Sequence, residues 1–212
     1  MPVLPFSETL RERTCAAGAA GDDSTFISEL LTGKRTKEDY TALVAQQYFV
    51  YRELESVAAR MASDPVAAAF VTPKLTRLPA IEADLEFLVG EDWAEQIWPF
   101  PATQRYVLRI RGTASWPGGF IAHHYTRYLG DLSGCNLIRT LLQRRFGFET
   151  NGVGFYLFSE IAEPRQFKDT YRAQLDAVDW DADEHERVID EVARAARLNA
   201  EMFEGVALAR AA

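Results

Sequence analysis

Between residues 118 and 146 apolar side chains recur at helical spacing, and two glycines, Gly130 and Gly134, fall one turn apart inside that run. A glycine in a helix interior costs roughly 1 kcal/mol relative to alanine, and here the cost falls twice on one face. Bare backbone one turn long accommodates a planar ligand lying against main-chain atoms, or a neighbouring helix packed at close range. Gly/Ser pairs such as Ser133-Gly134 are also common kink sites. Asp131 stands beside the strip, so a carboxylate would face whatever occupies it.

Helical spacing also marks segments near 7–18, 24–32, 37–62, 80–89, 103–113, 165–177 and 183–208. The expected fold class is therefore all-α, with only Gly154-Phe155-Tyr156-Leu157-Phe158 looking extended. Thr36 and Asp39 have capping-box spacing, Pro79 suits a first helical turn, and Gly33, Gly90 and Gly147 fall where C-terminal caps belong. No linker-like stretch, composition shift or internal repeat divides residues 1–212, which predicts a single domain.

The 23 Lys and Arg against 31 Asp and Glu give a net charge of -8, which argues against nucleic acid or an anionic membrane surface as the main partner. Cys15 and Cys135 form no disulfide framework, and a reducing cytoplasm is the compartment they suit. The N-terminal residues lack a basic region followed by a long apolar core, and no apolar run reaches the roughly 18 residues of a membrane span.

Four polar residues at three places stand out along apolar stripes, and a buried polar group needs a partner. Asn199 lies on the stripe of Val192, Ala195, Met202 and Val206; Tyr51 extends the face of Tyr40, Val44 and Tyr48; Arg127 and Asp131 are one turn apart. They could form one hydrogen-bonded network. The plainer reading is a structural ion pair between Arg127 and Asp131, since the i, i+4 pairing is common. Likewise Lys168 and Arg172 share a helix face, which in isolation reads as solvated surface.

The segment Tyr125-Thr126-Arg127-Tyr128-Leu129-Gly130-Asp131-Leu132-Ser133-Gly134 closely resembles the distal helix of the biliverdin-forming heme oxygenases, Tyr-x-Arg-Tyr-Leu-Gly-Asp-Leu-Ser-Gly-Gly. Only the last position departs, where Cys135 replaces the usual glycine. The resemblance runs from about Leu10 to Phe203 and is to the soluble bacterial form. It implies heme held between a proximal helix and a kinked distal helix, as substrate and cofactor together, with Gly130 and Gly134 over the porphyrin. Tyr51, Tyr106, Thr126, Arg127, Asp131 and Asn199 match the family's distal network, which holds water beside the reacting oxygen. Asp131 is then the candidate proton relay, because a carboxylate acting through water delivers a proton where a histidine directly over the oxygen would favour peroxidase-like chemistry. Lys168 and Arg172 match the residues that bind the two propionates, with Arg11 and Tyr125 adding contacts. An external electron donor, such as ferredoxin or a flavin reductase, is implied as partner.

One departure bears on the chemistry. Aligned through Leu10, Thr14 and Ser24-Thr25-Phe26, the family's proximal histidine falls on Gly18, and no histidine precedes His123. His123, His124 and His185 read as packed or solvent-facing residues. Iron could then be ligated by water or an exogenous donor beside Gly18, by Cys15 as thiolate, or heme could not be the working ligand; the first is the most economical, since a thiol without a nearby cation keeps a high pKa. The rivals to an active enzyme are a non-catalytic heme or tetrapyrrole binder and a helical domain without ligand. A dinuclear-metal oxidase needs clustered His and carboxylate ligands that three scattered histidines do not supply.

Overall fold

A computed structural model of the chain describes residues 4–18 and 25–209, with the backbone alone at 15–18 and 25. The described residues form nine α-helices and three short 3-10 turns, and no strand occurs among them. The helices are α1 (Phe6–Gly18), α2 (Thr25–Thr32), α3 (Lys37–Met61), α4 (Leu78–Val89), α5 (Trp93–Gln96), α6 (Pro101–Gly112), α7 (Pro117–Phe146), α8 (Pro164–Asp176) and α9 (Ala182–Ala209). Every segment with helical spacing is a helix here.

The boundaries follow local chemistry. Thr36 accepts the Asp39 amide while Asp39 accepts the Thr36 amide, so α3 starts on a complete capping box. Pro79, Pro101, Pro117 and Pro164 occupy first turns, where a missing N–H costs nothing. α7 ends at Gly147 in the left-handed region, φ 72°.

The centre of the molecule is built by α3, α6, α7 and α9. The α7–α9 interface is the most extensive, α3 packs on α4 and α6, and α1 leans on α9 and α8. Tyr40, Tyr51, Tyr106, Phe120 and Tyr171 are fully buried, so large aromatic rings fill this core, and the hydroxyls of Tyr40, Tyr51 and Tyr171 find partners inside it. α7 holds α-helical structure from Pro117 through both glycines to Phe146.

One expectation is corrected. Gly154–Tyr156 is a 3-10 turn rather than extended chain, because the buried Asp84 carboxylate of α4 accepts the amides of Gly154 and Phe155 at 2.9 and 2.8 Å. Those two bonds pull successive amides toward one point, which a strand cannot do.

Candidate active site

Tyr51 of α3, Arg127 and Asp131 of α7 and Asn199 of α9 meet in one network. The Tyr51 hydroxyl donates to Asp131 Oδ2. The Arg127 guanidinium donates to Asn199 Oδ1 and Gln47 Oε1, and its Cζ lies 5.0 Å from the centre of the Tyr51 ring. Arg127 and Asp131 are themselves 4.0 Å apart, at the outer limit of an ion pair. The plainer ion-pair reading therefore describes the weakest contact of the group; Arg127 is seated by two amides, and Asp131 is held by a phenol.

Gln47 is absent from the sequence reading. It lies one turn before Tyr51 on the buried side of α3, and a buried glutamine at that spacing was the available signal. Tyr106 is fully buried, but its hydroxyl has no protein partner, and neither has Arg127 Nε. Thr126 turns back to the Ala122 carbonyl at 2.8 Å and joins none of these residues by a hydrogen bond.

Burial pushes the Asp131 carboxyl well above the ordinary carboxylate range. Its side chain nonetheless keeps 17% of its surface open, so the group is recessed but reachable by water. Burial likewise raises the Cys135 thiol, with Asp131 adding to the effect, and the thiol stays neutral. A carboxyl whose charged form is disfavoured by burial, set beside an opening, can take up and release a proton.

The glycine strip faces outward from the protein's own packing. A Cβ at Gly130 would have no atom within 4 Å, and one at Gly134 would meet only Ile138 Cδ1 at 3.6 Å. No described helix uses the bare backbone for close packing. Lys168 of α8 reaches across to Ser133 Oγ at 3.0 Å, directly beside the strip. Arg172 pairs with Asp169 at 2.9 Å, while its Nε is buried without a partner. Tyr125 is half-buried, 6.2 Å from the ring of Tyr171. Arg11 is exposed and lies 3.7 Å from Glu8 on its own helix, where its charge is already paired.

A planar dianion fits this arrangement. The open strip offers a flat surface, and the orphaned Arg172 donor and the Lys168 ammonium supply cationic contacts at its border. The side on which the alignment puts the iron ligand offers less. Gly18 is the last residue of α1 and brings no donor, and the Cys15 side chain lies outside the described residues. All three histidines are engaged elsewhere. His123 Nε2 bonds Glu191 at 2.9 Å, His124 Nδ1 bonds the Tyr171 hydroxyl at 2.9 Å, and His185 stacks on Phe6 at 4.2 Å. Burial pushes His123 below the ordinary histidine range and His124 down to about 3, so both rings are neutral. Among the described residues no group of three His, Cys, Asp or Glu is placed to hold a metal ion. No helix among them is long and apolar enough to cross a membrane.

Known proteins resemble this chain in sequence and in fold. Residues 4–205 match the family model described as heme oxygenase. Heme oxygenase 1 of the cyanobacterium Synechocystis is 34% identical over 195 residues, covering 92% of this chain and 81% of that protein. Heme oxygenase 2 of Oryctolagus cuniculus is 35% identical over 201 residues, covering 93% of this chain, which spans 64% of that longer relative. The crystal structure of the Synechocystis heme oxygenase-1 in complex with heme superposes with a TM-score of 0.89 at 33% identity, over 95% of this chain and 91% of that one. A heme oxygenase structure from Leptospira interrogans gives 0.86 at 32% identity, over 94% and 98%. With the helices in the same places and the Tyr51–Arg127–Asp131 network set on the open glycine strip, the chain belongs to the heme oxygenase family.

Proposed function

We propose that this chain, acting as one domain, binds heme against the Gly130–Gly134 strip of α7 and opens it to biliverdin, carbon monoxide and ferrous iron, with electrons from an external donor of the ferredoxin or flavin-reductase kind. The observation that carries the reading is the open strip with Asp131 and Lys168 on its borders. Heme, as substrate, supplies both the iron that reduces oxygen and the carbon that is oxidised. The protein's part is to seat, orient and supply a proton. Lys168 and Arg172 bind the propionates, the Gly130 and Gly134 backbone limits how close each porphyrin edge comes to α7, and Asp131 holds a proton that it passes through water. Tyr51 fixes one Asp131 oxygen by donating to it, and Arg127, itself seated by Gln47 and Asn199, keeps the Tyr51 ring in place. Two cysteines that form no disulfide framework suit a reducing cytoplasm as the compartment of this reaction.

Gly18 and the engaged histidines favour a second reading, a heme binder with little or no turnover. Hemin titration tests both. A Soret band, shifted by added imidazole to a six-coordinate spectrum, is expected of either; biliverdin formation with ferredoxin and its reductase, or with ascorbate, marks the enzyme. Gly18→His is expected to give the imidazole-type spectrum unaided and to raise turnover by about tenfold or more, which corresponds to a barrier lowered by only about 1.4 kcal/mol. A chain that leaves the hemin spectrum unchanged does not bind it and ends both readings. An unchanged spectrum and rate in Gly18→His would show that residue 18 is not at the iron.

A further inference from the structure

α8 carries the cationic edge, yet only Tyr171 and Leu175 of this helix are buried. Leu175 contributes apolar contact, which is non-directional and tolerates sliding. The Lys168–Ser133 contact lies at the surface, where a flexible ammonium does little to fix a helix. Tyr171 is different. Its hydroxyl is 2.9 Å from His124 Nδ1 in a fully buried hydrogen bond, and the two rings lie within 13° of parallel. Phe70 packs on Tyr171 at 4.9 Å and Tyr125 at 6.2 Å, while His124 is wedged against Phe120 and Tyr128 of its own helix at 5.3 and 4.5 Å. A hydrogen bond is sensitive to distance and angle in a way that a leucine contact is not. This one ties the residue between Lys168 and Arg172 to the residue next to Tyr125.

The geometry points to His124 and Tyr171 as a positioning pair, whose hydrogen bond sets the slide and rotation of α8 on α7 and so fixes Lys168 and Arg172 relative to Tyr125 and the Gly130–Gly134 strip of α7. The inference rests on the heme-binding reading, and it concerns how heme is seated rather than whether it is bound. A small displacement of α8 moves both cations together. The porphyrin then turns or slides against the strip, and a different meso edge meets the distal residues.

Tyr171→Phe removes one hydroxyl and keeps the ring; His124→Leu removes the partner nitrogen; His124→Asn keeps a polar atom close to where Nδ1 stands. Four readouts apply: hemin affinity, the heme-methyl proton pattern of the ferric complex, the biliverdin isomer ratio in the Gly18→His background, and amide exchange of α8 in ligand-free protein. Tyr171→Phe and His124→Leu are expected to alter the heme-methyl pattern and the isomer ratio, to speed α8 exchange, and to weaken hemin binding by roughly three- to tenfold, the worth of one hydrogen bond. The double variant should be no worse than either single one, and His124→Asn should stay close to the parent. If Tyr171→Phe does not fold, the contrast between His124→Leu and His124→Asn carries the test. A parent-like heme-methyl pattern and isomer ratio in the variants, even with a lower melting temperature, would make the bond merely structural and overturn the proposal. Failure of the parent to bind hemin is a separate result, which defeats the heme-binding reading and this inference with it.

Discussion

At Gly130 the absence of a side chain serves no packing purpose within the protein, since a Cβ there meets nothing within 4 Å. Alanine at that position therefore fits, and it gains the helix propensity that glycine forgoes. Gly130→Ala is expected to stabilise ligand-free protein by up to about 1 kcal/mol while weakening hemin binding or changing the biliverdin isomers. Urea unfolding beside a hemin titration measures both, and a loss of stability would mean that the strip faces protein after all. Asp131 gives a second expectation. Its carboxyl is pushed up by burial, so it is protonated below that raised pKa and loses its proton as pH rises through it. In Gly18→His, turnover should fall with rising pH, and Asp131→Ala should remove that limb while leaving hemin affinity within a few-fold of the parent. A limb that persists in Asp131→Ala assigns the proton to another group.

Among the elements, helices were the readable part of this chain, because an apolar face repeating every three to four residues is a local property. The strip, Tyr51, Arg127, Asp131 and Asn199 were readable as well, since each is a polar or bare position on an otherwise apolar stripe. What pairs with what was not. Gln47 offers an amide oxygen to Arg127, Glu191 accepts both His123 and Arg109, and His124 meets Tyr171, all across helices distant in sequence. The 154–156 turn was missed for the same reason. Phe155, Tyr156 and Phe158 carry β propensity, but the carboxylate that bends the segment is seventy positions earlier, on α4. Asp84→Ala leaves two amides without that acceptor, one of the bonds fully buried, and should cost about 1–3 kcal/mol in stability. A denaturant midpoint unchanged from the parent would show that the turn stands by itself.

The whole molecule should be acid-sensitive in a particular way. His124 is held to about 3 in the folded state against an ordinary 6.5, so the folded chain binds fewer protons there than the unfolded chain does between those values. Stability is fully present above 6.5 and is lost as pH falls toward 3, by up to about 1.4 kcal/mol per unit for one such group. Buried neutral His123 adds in the same direction. Glu191 is held down to about 2, the upward push of burial being outweighed by the hydrogen bonds from His123 and Arg109. Its contribution is present above the ordinary glutamate value and lost as pH drops through 2. The raised Asp131, Asp84 and Glu55 carboxyls pull the other way, so the histidine contribution is read as a difference. Between pH 6.5 and 4 the unfolding free energy of His124→Leu should fall less, or rise more, than that of the parent, and equal pH dependence in the two would show that His124 does not carry it.

Arg127 is seated by the side-chain oxygens of Gln47 and Asn199, two groups that never change charge in water. α3, α7 and α9 are thus pinned together at the distal site by a cation and two neutral amides, none of which titrates across the range in which Asp131 gains or loses its proton. The frame can keep its shape whether the Asp131 carboxyl is charged or neutral. On the proposed reading, proton traffic at Asp131 would then proceed turnover after turnover without loosening the helices around it.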